Sequence, residues 1–240
     1  MKRQNLNFHI DEYYLISLIL SPRAKNCEFY DLYTYVNSVS SEIYDFLNGY
    51  GIYPTLMKHK SLNILQENLT KFFDTIILSD EFQIILEETN NFKNKCEIEW
   101  KANLDKTSKI INDLTGINFD IPIDVYVVHP CINQHGGARL PGNIVLLGFD
   151  SDYHDSITIS LWHDILYKYL KSNDHIAQAV IELVTYGELR YRLNGIKYPP
   201  VIDGKQSLDE IRKSIYPTWI QYLKSDKKDI RAFIKESRHN

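Results

Sequence analysis

Four stretches decide the fold: Ile123-Asp124-Val125-Tyr126-Val127-Val128, Asn143-Ile144-Val145-Leu146-Leu147-Gly148, Leu161-Trp162-His163-Asp164-Ile165-Leu166-Tyr167 and Ile176-Ala177-Gln178-Ala179-Val180-Ile181-Glu182-Leu183-Val184. The first is β-branched and bounded by Pro122 and Pro130, which suits a strand. The second reads as another strand, reached through a loop that carries Gly136, Gly137 and Gly142. Around the third, Ile157, Leu161, Ile165 and Tyr169 share one face of a helix over 156–171, with Ser156 as its cap. The polar turn Ser172-Asn173-Asp174 then leads into a second helix over 175–193, closed by Asn194-Gly195.

Upstream, the chain reads as α. Neither Gly nor Pro occurs from Thr55 through Thr115, so nothing there forces a helix to stop. Leu62, Leu65, Leu69, Phe72, Phe73, Ile76 and Ile77 recur at helical spacing. So do Trp100, Leu104, Ile110, Ile111 and Leu114, ending at Gly116. A further helix is expected over 30–47. Downstream, Tyr198-Pro199-Pro200 breaks the chain before a helix over 207–222 and a charged final helix. The run from Lys224 to Arg238 holds six basic and three acidic residues and reads as a solvated helix face. The sequence therefore predicts one α+β domain over 1–240, mostly helical with a small sheet. Within it, 1–99 is a helical N-terminal part, 100–195 the core and 196–240 the C-terminal helices.

Composition bounds the function. The 240 residues are 44% hydrophobic and 24% charged, with 27 Lys plus Arg against 31 Asp plus Glu, a formal net charge of -4. A nucleic-acid binder needs a basic face to displace phosphate counterions, and this balance speaks against one. The early apolar run, Tyr14 to Leu20, is too short to cross a bilayer, so no membrane association is expected. The three cysteines, Cys27, Cys96 and Cys131, are odd in number; a disulfide framework is not expected and a reducing cytoplasm is the simpler location. The 17 tyrosines, with many Asn, Lys and Ile, fit an AT-rich bacterial or phage coding bias. No phosphate-binding glycine loop and no Gly-x-Ser-x-Gly elbow is present.

Glu182 is the chemically odd residue. It sits in the middle of a helix otherwise fit for burial, on one stripe with His175, Gln178 and Thr185. A carboxylate placed there must pair with a cation, bind a metal or stay protonated. The structural reading is a buried Glu–Arg or Glu–Tyr pair, with Arg190 or a tyrosine as the partner. The preceding helix offers His163 and Tyr167 four residues apart on one face, with Asp164 adjacent. In a helical His-Glu-x-x-His, two imidazoles grip one Zn²⁺ and the Glu activates its water; here the letters are His-Asp-x-x-Tyr. His129, Cys131 and His135 form a second His/Cys group, read as loop polarity, and His154-Asp155 is read as a helix cap.

Strand, glycine-bearing loop, strand, His-bearing helix, short turn, Glu-bearing helix: this order resembles the zincin metallopeptidases, in the branch whose third ligand is a glutamate. The similar stretch runs over 117–195, with 100–116 as a supporting helix; Thr115-Gly116 and Trp162 ahead of His163 also look like bacterial zincin-like proteins. The resemblance implies His163 and Glu182 as zinc ligands, Asp164 in the place of the general base and Tyr167 where the second His belongs. His175 is the candidate replacement ligand. The edge strand, Asn143, Ile144 and Val145, would line a cleft for a peptide or protein. Asp is one methylene shorter than Glu, about 1.5 Å of reach, and a phenol with a pKa near ~10 is a poor zinc ligand. The expectation is a degenerate zinc-dependent peptidase of weak or lost activity. The alternative is a non-enzymatic binding or regulatory protein that keeps the scaffold without metal.

Overall fold

The structure, a computed structural model, describes residues 4–21, 24, 27–40, 64–132, 142–148, 156–170, 174–195 and 205–238. In chain order these form β1 (Leu6–His9), α1 (Glu12–Ile19), α2 (Tyr30–Val39), α3 (Ile64–Ile77), α4 (Asp80–Thr115), β2 (Ile123–Val127), β3 (Ile144–Leu147), α5 (Ile157–Leu170) and α6 (His175–Glu182). A π-helical turn (Leu183–Leu189) joins α6 to α7 (Arg190–Asn194), and α8 (Asp209–Lys224) and α9 (Ile230–Ser237) follow. The fold is α+β and mostly helical, as the periodicity predicts. None of the described helices is long and apolar enough to cross a membrane.

The sheet has the order β1-β2-β3 and is parallel throughout. Phe8 faces Val125, which in turn faces Val145. Buried Ile123, Val125, Val127, Val145 and Leu147 alternate onto one face and join a core with Trp100, Trp162, Ile165 and Val180. On the other face, Leu146 joins a second core with Leu15, Ile16, Ile19, Phe73, Ile76 and Phe82. A parallel sheet needs cover on both faces, and the two helical layers supply it.

Local chemistry explains the element ends. Ser79 splits α3 from α4 without Gly or Pro: its Oγ accepts from Phe82 N at 3.2 Å and donates to Ile76 O at 2.8 Å. Gly116 ends α4 in the left-handed conformation, φ 68°. There a Cβ would lie 2.2 Å from the Lys228 carbonyl oxygen, so only glycine fits.

The charged face of the final helix is solvated as expected, with Arg231, Lys235 and Glu236 exposed, while Ile230, Phe233 and Ile234 on its other side are buried in the first core. Cys27 and Cys131 form a disulfide with Cα atoms 5.8 Å apart, so the odd cysteine number misled: the leftover thiol is Cys96, buried in α4. The strand β1 was not expected, since four residues with only Leu6 and Phe8 apolar give too short an alternation to read. The helix expected over 30–47 is seen as Tyr30–Val39; residues 41–47, His135 and His154-Asp155 lie outside the described residues.

Candidate functional site

The His-bearing helix α5 is fixed from three sides. Glu99 of α4 caps its first turn: Oε1 accepts from Ser156 Oγ at 2.6 Å, Thr158 N at 2.9 Å and Thr158 Oγ1 at 3.0 Å. Ser156, expected as the cap, thus donates to a more distant carboxylate. Trp162 Nε1 donates to Thr107 Oγ1 at 2.8 Å and its ring lies 5.1 Å from Phe119. At the far end the Tyr169 hydroxyl accepts from Ile121 N at 2.6 Å, and burial pushes that phenol's pKa up.

This frame brings several expected residues together. The His163 ring stacks on Tyr186 with centroids 5.0 Å apart and planes at 11°, and Tyr167 lies 6.3 Å away. His163 Nδ1 is 3.4 Å from Asp164 Oδ1, and both side chains are mostly buried. Gln178 Nε2 of α6 donates to the Tyr167 hydroxyl at 2.8 Å, so α5 and α6 do face one another. Tyr186 sits in the π-helical turn, where the chain departs from α geometry. Burial lowers the Lys168 pKa one turn along, and the charge of Asp164 opposes that shift. In the π-helical turn itself, burial raises the pKa of the Glu188 carboxyl, partly offset by Arg192, whose Nε is 3.4 Å away.

Glu182 goes elsewhere. Only 2% exposed, it forms an ion pair with Arg212 Nη1 of α8, and its Oε1 accepts from Lys205 N at 3.3 Å. Arg212, also buried, bonds Asp209 through Nη2. This is the Glu–Arg pair that a buried carboxylate demands, with Arg212 rather than Arg190 as the partner. Arg212 was missed because it lies 30 residues away in sequence. A clue was available: Arg212, Ile215 and Trp219 share the inward stripe of α8.

The donor set does not fit zinc. Among the described residues no three His, Cys, Asp or Glu side chains converge to hold an ion. Both Glu182 oxygens already have protein donors, and His175 is exposed at the start of α6. Its neighbour Asp174 caps α6, accepting from Ala177 N at 2.8 Å, and pairs with Arg238 of α9. The expected edge strand is seen as β3, the outer strand of the sheet among the described residues, on the side away from β1. Asn143 is exposed, Ile144 half-buried and Val145 buried. A shallow hollow of about 470 Å³ lies elsewhere, on α4, lined by Asp80, Gln83, Ile84, Leu86, Glu87 and Asn90.

Compared with protein-family models, curated proteins and solved structures, the chain has no match. Function must therefore be argued from this geometry.

Proposed function

We propose that the protein is a metal-free binding or regulatory protein on a zincin-like scaffold, in which the Arg212 guanidinium takes the place of a cation beside Glu182. The observation that carries this reading is the buried Glu182–Arg212 ion pair. A guanidinium carries a permanent positive charge and a fixed fork of donors. It meets the need of a desolvated carboxylate that a zinc ion meets in a peptidase.

The remaining side chains also support binding over hydrolysis. Tyr167 accepts from Gln178 and His163 is stacked on Tyr186, so both are held by protein partners. Among the described residues β3 pairs with β2 alone, and this outer edge is where an extended peptide or protein segment would add its backbone. A cytoplasmic location is part of this proposal.

Elemental analysis of untagged protein after dialysis against zinc, run beside a peptide-cleavage assay, tests the reading. We expect substoichiometric zinc and no zinc-dependent cleavage. One zinc per chain, lost in Glu182→Gln, or cleavage abolished by His163→Ala, would return the protein to the metallopeptidases.

A further inference from the structure

The Cys27–Cys131 disulfide is used by nothing in the candidate site, and its surroundings are asymmetric. Cys27 is 5% exposed and lies within the second core, between α1 and α2. Cys131 is exposed, in the turn that follows β2. The bond joins positions 104 residues apart, so it ties the N-terminal helical layer to the end of the central strand.

That turn has a second anchorage. The Cys131 N–H donates to His129 Nδ1 at 3.2 Å, which leaves the ring hydrogen on Nε2, directed at Glu88 Oε2 of α4 at 2.8 Å. Breaking the disulfide leaves this tether in place, so the turn stays on α4. What loses its cross-link is the α1–α2 layer, which stays joined to β1 through Ile10-Asp11 and is otherwise held by apolar contacts such as Leu15, Ile19, Leu32 and Val36, by the Tyr13 hydroxyl donating to Asp74 of α3 and by the edge contact of Phe29 on His129.

We propose that the Cys27–Cys131 pair is a redox switch: a dithiol reductant opens it and loosens the α1–α2 layer from the sheet while the first core stays folded. One thiolate of the reductant attacks the Sγ of Cys131, the more exposed residue of the pair, forming a mixed disulfide and expelling the Cys27 thiolate, which takes up a proton. The reductant's second thiolate then displaces Cys131, which is protonated in turn. Two electrons pass to the protein and the reductant ends as a disulfide. In a reducing cytoplasm such a pair is held only conditionally, which is the usual property of regulatory disulfides there. Loosening uncovers Leu146, which is otherwise 6% exposed beneath this layer. The proposal does not depend on what holds Glu182.

The test is hydrogen–deuterium exchange on the whole protein, oxidised with glutathione disulfide or reduced with dithiothreitol, with thiols counted in denaturant. Oxidised protein should titrate one thiol, that of Cys96, and reduced protein three. Peptides from α1 and α2 should exchange about tenfold faster or more after reduction, while peptides from α5 and α6 keep their protection. Cys131→Ser should reproduce the reduced pattern with no reductant present. Should that variant not fold, reduction of the wild-type protein decides alone. Three thiols in the oxidised protein, unchanged exchange in α1 and α2, or loss of protection throughout the molecule would each overturn the proposal.

Discussion

Removing the guanidinium of Arg212 leaves Glu182 a buried carboxylate with, among the described residues, the Lys205 amide as its remaining donor. Such a charge costs more than the pair contributes, so Arg212→Met should lose about 3–5 kcal/mol of stability in urea unfolding. A Glu182→Leu, Arg212→Met double variant should recover most of that loss, because no uncompensated charge remains. A loss below about 1 kcal/mol in the single variant would mean that the pair is solvated. Glu188 makes a second residue-scale prediction. Burial holds its folded pKa above the ordinary 4.5, so between those two values the native state binds more protons than the unfolded one. Stability therefore falls as pH rises through that window. Glu188→Gln should flatten the fall, measured as urea midpoints from pH 4 upward; an unchanged slope would assign the pH dependence to other groups.

At the scale of elements, two joints decide where the site helix lies. Glu99 satisfies donors at the start of α5 from another helix. Glu99→Ala should cost about 1–2 kcal/mol, with Glu99→Gln milder because one acceptor oxygen survives. Gly116→Ala forces a left-handed φ on alanine and drives its Cβ at the Lys228 carbonyl. It should cost more than about 1 kcal/mol in thermal unfolding and loosen the loop before α9. Elements of this kind are legible in sequence wherever their cause is local. The stripe ending at Gly116, the β-branched run after Pro122 and the stretch from His175 all gave their elements to periodicity and turn chemistry. Ser79 ended a helix that no Gly or Pro interrupts, a cap readable only with its partners in place. The π-helical turn at Leu183–Leu189 has no composition that distinguishes it from α, so the stripe through Glu182 and Thr185 was drawn straight where the backbone shifts.

Across the whole molecule, what sequence could not supply is pairing at a distance. The class of Glu182's environment, a buried ion pair or a metal, followed from a lone carboxylate on an apolar helix. Its partner arrives from α8, after the second helical element beyond it, and no local pattern encodes that meeting. The same holds for Cys27 with Cys131 and for β1, whose four residues become a strand only against β2. The two cores on opposite faces of a parallel sheet explain why the N-terminal layer can respond to a cystine while α5 and α6 hold their places. Everything functional turns on which cation neutralises Glu182. Anomalous diffraction at the zinc absorption edge, from crystals equilibrated with zinc, addresses that directly. The account predicts a guanidinium against both Glu182 and Asp209 and no anomalous peak beside them; a peak bonded to Glu182 and His163, with Arg212 turned away, would contradict it.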